Sequence, residues 1–175
     1  MRHTGEMTTN ARTDATPRVA QIIVASTRAA AGVYPDRTGP VIEAWLRERG
    51  WSVDALHVVP DGDRVGQALA AAIAGDCDLV ITTGGTGVSP RDETPEQTLP
   101  HLDRLLPGIA EELRRRGAAS TPLALISRGY VGIARGRTVV VNLPGSTGGV
   151  RDGLALLEEV LPHLIVQLQG LDHTP

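Results

Sequence analysis

Short apolar runs alternate along this chain with segments whose apolar residues recur every three or four positions. The runs Val19–Ala25, 51–59 and Leu79–Thr83 are rich in β-branched residues, as buried strands are. Helical spacing follows the first two runs, from Gly39 onward and again over residues 65–74. Strands that alternate with helices in this way predict a three-layer α/β/α sandwich with a mostly parallel central sheet.

The second half of the chain continues this pattern less regularly. Residues 123–126 and 138–141 are predicted strands, separated by a hairpin that three glycines punctuate. Helices are predicted at about residues 108–116 and 148–169, and Pro162 predicts a kink within the second of them. The sheet is therefore expected to take strands from both halves of the chain.

One folded domain, residues 18–170, is predicted between two tails. Residues 1–17 are polar and lack apolar periodicity, which predicts a flexible N-terminal tail, and residues 171–175 are predicted to be a C-terminal tail. The sequence has no secretory signal and no segment of about 18 unbroken apolar residues. A cytoplasmic protein without membrane contact is therefore expected, and either Met1 or Met7 could be its natural start.

The composition excludes several classes of function. The chain contains no lysine, so all 17 basic side chains are arginines, and the formal net charge of −3 provides no basic field for nucleic acid. Cys77 is the only cysteine, which excludes an internal disulfide and favours a buried apolar role for its thiol. The histidines show no metal-ligand spacing. A phosphate site in this chain must therefore use backbone amides, arginine or a divalent cation.

A glycine loop follows the third predicted strand directly. Gly84, Gly85 and Gly87 allow backbone N–H groups to face outward, which is the geometry of an anion nest. Thr86 and Ser89 could add hydroxyl donors. The loop lacks the Gly-Lys-Ser/Thr ending of the P-loop and the third glycine of the dinucleotide fingerprint. A phosphate site of another kind is therefore predicted, with a plain strand-to-helix turn as the alternative.

A helix is expected to begin just after this loop. Thr94 would be its N-cap, with Pro95 in the first turn and Gln97 completing a capping box. Because the N-terminus of a helix favours anions, Thr94 is also a predicted phosphate-binding residue.

Two aspartates are placed to hold a divalent cation. Asp61 lies in the turn after the second strand, and Asp92 follows the glycine loop. Because the carboxyl ends of parallel strands meet at one edge, both are expected within reach of one Mg²⁺. Asp63 competes with Asp61 for this role, and each aspartate alone could instead form a turn or cap a helix.

The ends of two further strands should lie at the same edge. Ser26 and Arg28 follow the first strand, and Arg28 could contact a phosphate. After the last strand, small residues would let a flat ring or a second phosphate approach the backbone, and the Asn142 amide could read a base or pterin edge. These residues are Asn142, Pro144, Gly145 and Ser146. A tight turn with Thr147 as N-cap explains the same spacing equally well.

These motifs, taken in order, resemble the molybdopterin adenylyltransferase (Mog) family, which includes MoaB proteins and the G domains of plant Cnx and animal gephyrin. Residues 82–87 (TTGGTG) with 91–96 (RDETPE) resemble one family signature, and residues 142–146 (NLPGS) a second. Residues 31–36 and 60–61 match the loops after the first and second strands. The resemblance covers nearly all of the predicted domain.

The resemblance implies a fold that assembles as a homotrimer and transfers AMP from Mg-ATP to the terminal phosphate of molybdopterin, with release of pyrophosphate. Adenylylated molybdopterin would then pass to a downstream molybdate-insertion enzyme. By motif position, Asp61 and Asp92 are the catalytic, Mg²⁺-holding carboxylates. Residues 84–87, Ser89 and Thr94 would bind nucleotide phosphates, and residues 142–146 would border the pterin or nucleotide.

The chain departs from the family pattern at two places. Thr27 stands in Ser-Thr-Arg where the family often has Ser-Asp-Arg, and Thr147 replaces the proline of the more usual Ser-Pro. Three hypotheses therefore compete: an adenylyltransferase, a molybdopterin-binding scaffold that has lost catalysis, and an unrelated sugar-phosphate or nucleotide hydrolase.

Overall fold

The structure, a computed structural model, describes residues 17–170. Its strands are β1 (Val19–Ala25), β2 (Ser52–Val59), β3 (Leu79–Thr83), β4 (Arg104–Leu105), β5 (Val131–Ala134) and β6 (Thr138–Leu143). Its helices are α1 (Thr27–Ala30), α2 (Gly39–Glu48), α3 (Asp63–Ala74), α4 (Thr94–Thr98), α5 (Pro107–Ser120) and α6 (Thr147–Leu168). The alternation of strands and helices predicted for the first half of the chain is confirmed.

The strands form one sheet in the order β2-β1-β3-β6-β5-β4. The first four strands in this order, β2, β1, β3 and β6, are parallel to one another. Strand β5 runs antiparallel to both β6 and β4. The register pairs Ala25 with Val59, Val24 with Thr83, and Thr83 with Leu143. The carboxyl ends of the four parallel strands therefore lie in one row, and the mostly parallel sheet is confirmed.

Helices cover both faces of the sheet and complete the three layers. Side chains alternate between the faces, because successive strand residues point in opposite directions. Ile22 and Val141 belong to the core beneath α2, α5 and α6, whereas Ile23 and Val140 belong to the core beneath α3. Full burial of one such aliphatic side chain stabilises the fold by roughly 1.5–3 kcal/mol. The two cores together fix the positions of the strand ends.

In the second half of the chain, one predicted strand is wrong, and the structure has strands there that the sequence did not predict. Residues 123–126 belong to a 3-10 turn, Pro122–Ile126, and do not form a strand. Their apolar side chains project outward, with Leu123 71% and Leu125 60% exposed. A short apolar run resembles a buried strand in sequence, whatever its exposure. The strand of this region is β5, and β4 has only two residues, too few to leave a periodic pattern.

The ends of two helices follow the expected chemistry. α2 ends shortly before Gly50, which has a φ of 77°. Ser146, and not Thr147, is the N-cap of α6, accepting the Gly149 N–H at 3.1 Å. α6 continues through Pro162, and the kink predicted there stays a prediction.

The predicted tails fall outside the described residues, except for Pro17. Within residues 17–170, no helix has the length and the apolar character that crossing a membrane requires.

Candidate active site

Polar loops follow each of the parallel strands at the row of carboxyl ends. The loop after β3 is joined to the end of β6, because the Thr83 hydroxyl donates to Pro144 O at 2.8 Å and the Gly84 N–H donates to Leu143 O at 3.1 Å. On the other side, the Asp61 N–H donates to the Thr27 hydroxyl at 3.3 Å. The predicted meeting of these loops at one edge is therefore confirmed.

The glycine loop needs glycine for two separate reasons. Gly84 and Gly85 have φ values of 91° and 64°, a region that other L-residues rarely adopt. In addition, a Cβ on Gly84 would lie 2.3 Å from Ala25 O, and one on Gly85 would lie 2.0 Å from Asp61 Oδ2. A plain strand-to-helix turn would not need this close approach. The loop therefore brings its backbone directly against a carboxylate and the end of a neighbouring strand.

Asp61 lies beside this loop and is partly buried. Its Oδ1 accepts the N–H groups of Gly62 at 2.7 Å and Glu93 at 3.2 Å. Burial raises the pKa of Asp61, the two backbone hydrogen bonds oppose that rise, and the negative charges of Asp92 and Glu93 add to it. The carboxylate is thus fixed in orientation, partly buried and near two other carboxylates. Asp63, its competitor in the sequence, is exposed at the start of α3 and bonds Gln97 at 3.4 Å.

Asp92 contacts the glycine loop further along, beside Gly87. Its Oδ2 accepts the Ser89 N–H at 3.2 Å, and a Cβ on Gly87 would lie 2.7 Å from the same atom. Ser89 itself is exposed, and its hydroxyl accepts the Arg91 N–H at 3.3 Å. Asp61 and Asp92 therefore both lie against the loop, one beside Gly85 and the other beside Gly87.

The capping box predicted at Thr94 is wrong. Thr94 is the first helical residue of α4, Glu93 is the N-cap, and no side chain caps the helix. Thr94 is fully buried, and its hydroxyl donates to Asp61 Oδ1 at 3.5 Å. The Thr94 hydroxyl, which a local cap would use, instead bonds Asp61, 33 residues away in the chain. Thr94 therefore supports Asp61 and has no surface to offer a phosphate.

A cavity of about 480 Å³ opens beside the other half of the glycine loop. Its walls come from that loop, the turn after β6, the start of α6, α5 and the 3-10 turn, and they are mainly apolar. Five of the predicted site residues contribute besides Asn142, namely Thr86, Gly87, Pro144, Gly145 and Ser146. Such a volume suits a small organic ligand. The same loop thus contacts the two carboxylates and forms part of the cavity wall.

The Asn142 amide is not available in the way that the sequence predicts. Its Nδ2 donates to the hydroxyls of Thr82 at 2.9 Å and Thr98 at 3.0 Å, and its Oδ1 accepts the Tyr130 N–H at 2.9 Å. Both amide hydrogens are therefore donated within the chain. Asn142, which lines the cavity, ties together β3, β6, the end of α4 and the residue before β5.

Ser26 and Arg28 lie at the same edge but contribute to a local structure. The Ser26 hydroxyl caps α1 by accepting the Ala29 N–H at 3.2 Å and lies 3.1 Å from the Tyr34 hydroxyl. The Arg28 guanidinium stacks 5.0 Å from the Tyr34 ring centroid. Neither residue lines the cavity. Their predicted contacts with a ligand stay predictions.

Three residues near the site were not predicted from the sequence: Arg128, Arg114 and Asp152. Arg128 reaches the glycine loop from the segment before β5, and Arg114 of α5 donates to Ser127 O and Gly129 O, each at 3.3 Å. Asp152 lines the cavity from α6. It lies one helical turn after Gly149, and this spacing could have identified it.

No group of three or more His, Cys, Asp or Glu side chains within residues 17–170 is arranged to hold a metal ion. A cation at this site would therefore need ligands from a substrate in addition to Asp61 and Asp92. Cys77 is 1% exposed, and burial raises the pKa of its thiol to about 11. Its predicted role as a buried apolar residue is confirmed.

A protein-family model described as "Probable molybdopterin binding domain" matches residues 21–163, most of the chain. The chain belongs to this molybdopterin-binding family. The family resemblance carried by the glycine loop and the NLPGS turn is thereby confirmed.

Curated members of the molybdopterin-binding family match over most of this chain. It is 39% identical over 155 residues to the molybdenum cofactor biosynthesis bifunctional protein of Synechococcus elongatus, covering 88% of this chain and 48% of that protein. It is 34% identical over 152 residues to the molybdopterin adenylyltransferase of Haemophilus influenzae, covering 83% of this chain and 76% of the relative. The chain spans about half the length of the bifunctional relatives.

A solved structure of the family confirms the fold. The molybdopterin biosynthesis Mog protein from Mycobacterium ulcerans superposes with a TM-score of 0.83 at 50% identity, covering 89% of this chain and 99% of that one. The three-layer fold predicted from the sequence is therefore the fold of this family.

Proposed function

We propose that this chain transfers AMP from Mg-ATP to the terminal phosphate of molybdopterin and releases pyrophosphate. The observation that carries the proposal is one glycine loop that contacts a pair of aspartates and also lines a cavity for a small organic ligand. The adenylyltransferases among the relatives support the reaction, and the family as a whole supports molybdopterin as the substrate.

The glycine-loop side suits the nucleotide phosphates and a divalent cation. Asp61 and Asp92 are oxygen donors of the kind that Mg²⁺ prefers, and Mg²⁺ commonly binds through one or two carboxylates together with substrate phosphates. Burial is the main cause of the raised pKa of Asp61, and the nearby charges of Asp92 and Glu93 add to it, so a cation would favour the ionised carboxylate. When bound, Mg²⁺ would neutralise charge on the phosphates of ATP. The protein's own part is to orient these two carboxylates and present backbone N–H groups.

The cavity suits molybdopterin. Its walls are mostly apolar and offer polar groups at a few points, among them the Asp152 carboxylate and the Ser127 and Ser146 hydroxyls. A flat, largely uncharged ring system matches such a lining, while its phosphate would face the glycine loop. The shared wall of Thr86 and Gly87 would bring the two substrates together.

The reaction needs no base from the protein. An oxygen of the molybdopterin phosphate attacks the α-phosphorus of ATP, one P–O bond forms, and the bond to the β-bridging oxygen breaks with its electron pair leaving on pyrophosphate. The attacking phosphate is already an anion, so no proton has to be removed. Catalysis then rests on positioning and on charge stabilisation by the loop amides and the bound cation. This fits a site whose aspartates are held by backbone hydrogen bonds.

Thr27 bears on the alternative of a binding-only scaffold. The residue stands where the family often has an aspartate, and its hydroxyl accepts the Asp61 N–H at 3.3 Å. Thr27 thus still holds the turn that presents Asp61, although it supplies no charge. The homotrimer and the transfer of product to a molybdate-inserting enzyme rest on the family resemblance alone and are part of the proposal.

The test is pyrophosphate release with Mg-ATP, with and without molybdopterin, for wild type, Asp92→Ala and Asp54→Ala. Release should require molybdopterin, and Asp92→Ala should reduce it by about 10²–10³-fold. Asp54 is a matched control, because its carboxylate lies on β2 and bonds Gln21 at 3.1 Å away from the loop. Its variant should behave as wild type.

Three other outcomes would change the assignment. Tight molybdopterin binding without pyrophosphate release would identify a scaffold. Hydrolysis of a phosphate substrate without molybdopterin would identify the unrelated hydrolase. A loss of molybdopterin binding equal to the loss of turnover in Asp92→Ala would contradict the role given to that carboxylate.

A further inference from the structure

Arg128 contacts the glycine loop through both its backbone and its side chain. It lies between the 3-10 turn and β5, and its backbone N–H donates to Thr86 O at 2.8 Å. Its side chain then continues along the same loop: Nε donates to Gly87 O at 2.7 Å and Nη2 donates to Asp92 O at 2.6 Å. The remaining nitrogen, Nη1, forms an ion pair with Glu96. One residue therefore joins both ends of the segment 87–92.

The segment between these two ends has few other supports. Residues 88–91 are exposed, with Val88 64% exposed. Ser89, Arg91 and Asp92 form hydrogen bonds with one another within this segment. Such internal bonds shape a turn but do not attach it to the rest of the domain. The attachment at Gly87 and Asp92 comes from Arg128.

The chemistry of these contacts is specific to arginine. A guanidinium presents its donors in a rigid planar fork, whereas an ammonium is a compact point charge on a flexible stem. Lysine at this position could keep the ion pair with Glu96 but could not also reach two carbonyls in fixed geometry. An exposed ion pair contributes little stability by itself. The carbonyl contacts with Gly87 and Asp92 are therefore what distinguishes Arg128.

We infer that Arg128 is a positioning residue for Asp92, which holds the backbone of the glycine loop so that the carboxylate keeps its place beside Gly87. Arg128 acts through the carbonyls of the loop, and no contact of its guanidinium with a substrate is invoked. The inference rests on the proposed function for its catalytic consequence. Its structural consequence, a loop whose order depends on one guanidinium, can be measured without any turnover.

The experiment compares the full chain as wild type, Arg128→Lys and Arg137→Lys. Arg137 is a matched control, because it also forms an ion pair on the surface, with Asp76, but precedes β6 at the amino end of the sheet. Thermal unfolding establishes that each variant folds. Hydrogen exchange by mass spectrometry then follows peptides covering residues 84–93, and Mn²⁺ titration with pyrophosphate, followed by EPR, measures cation binding.

In folded Arg128→Lys, amides of residues 84–93 should exchange faster than in wild type, while peptides from β6 stay unchanged. Mn²⁺ binding in the presence of pyrophosphate should weaken, and pyrophosphate release from ATP should fall by roughly 10–100-fold. The KM for molybdopterin should stay within about twofold, which a general loss of folded protein would not produce. Arg137→Lys should match wild type in every measurement.

Unchanged exchange at residues 84–93 together with unchanged Mn²⁺ binding would overturn the inference. If Arg128→Lys does not fold, Arg128→Gln, which also lacks the fork of donors to Gly87 O and Asp92 O, is measured in the same way. Unchanged exchange and Mn²⁺ binding in that variant would be equally decisive. If the wild-type chain releases no pyrophosphate, the proposed function fails. Exchange and Mn²⁺ binding then still decide the role of Arg128.

Discussion

The two glycine turns at the edge of the sheet look alike in sequence and differ in structure. Each follows a buried strand and leads toward a helix. In the turn after β3, Gly85 has a positive φ and contacts Asp61 so closely that no Cβ fits. In the turn after β6, Gly145 is exposed with a φ outside the left-handed region, and Ser146 caps a helix of 22 residues.

The difference shows that glycine has two separate functions here. After β3, glycine lets the backbone pass between two strand ends and a carboxylate. The helix that follows, α4, has only five residues and no side-chain cap. After β6 small residues leave open space at the mouth of the cavity, and helix capping supplies the stability. The first turn is therefore tightly packed and is the proposed site for phosphate and cation, whereas the second borders the cavity.

The largest expected effect comes from Gly85→Ala. A Cβ would lie 2.0 Å from Asp61 Oδ2 and 2.4 Å from Thr94 Oγ1, at a φ of 64°. Displacement of Asp61 should reduce pyrophosphate release by about two orders of magnitude. The strained φ and the clash should destabilise the fold by about 1–3 kcal/mol, as measured by urea unfolding. Gly148→Ala provides the contrast, because nothing lies within 4 Å of its Cβ, and it should not lower stability.

Asp61→Asn should separate activity from stability. The raised pKa of Asp61 means that folding favours the protonated carboxyl, so its contribution to stability is greatest at acidic pH and is lost as pH rises through the folded-state pKa. Without nucleotide at pH 7, the amide should therefore keep the Tm at or above that of wild type while turnover falls sharply. A Tm that drops together with activity would contradict this account of the site.

Ser146→Ala should have a moderate effect on stability at the second turn. Loss of the hydroxyl leaves the Gly149 N–H without its acceptor and should lower the free energy of unfolding by about 1 kcal/mol. Urea denaturation measures this value. Turnover should fall less than in Asp61→Asn, because the proposed phosphate and cation site lies at the other turn. The opposite ranking would remove the distinction between the two turns.

The reactivity of the Cys77 thiol should not change in any of these variants. It therefore shows whether the effect of a substitution is local or the whole fold is lost. The thiol is buried and its pKa is raised to about 11, so a thiol reagent such as iodoacetamide at pH 8 should not react with the folded chain. Reaction should become rapid in urea. If Gly85→Ala makes Cys77 reactive without denaturant, that variant has unfolded globally, and its loss of turnover says nothing about the glycine loop.

The sequence predicted the parts of the fold that depend on regular periodicity. The buried strands β1 and β3 were recognisable because β-branched runs are bounded by turn residues, and Gly84–Gly87 stood out because one turn rarely needs three glycines. The run 123–126 misled for the same reason, since Leu123 and Leu125 carry a strand-like pattern on an exposed 3-10 turn. Local pattern does not report which side of the chain faces water.

The candidate site was predicted less completely, because several of its contacts join residues far apart in the chain. The Thr94 hydroxyl matched a capping box locally, yet bonds Asp61, and Asn142 offered an amide in sequence that Thr82 and Thr98 occupy in the fold. Arg128 lies 36 residues from Asp92, and no spacing rule connects them. Such roles follow from the sheet order, which a single sequence does not specify.

The dependence of the β3 turn on β6 also has a consequence for folding during synthesis. The Thr83 hydroxyl and the Gly84 N–H find their partners only at Pro144 and Leu143, about 60 residues later. Pairings over such separations form slowly and late, because a long loop must close first. A nascent chain whose sixth strand is still inside the ribosome therefore carries the glycine loop without its support. If the chain binds nucleotide as proposed, that binding should begin only after translation has passed the NLPGS turn.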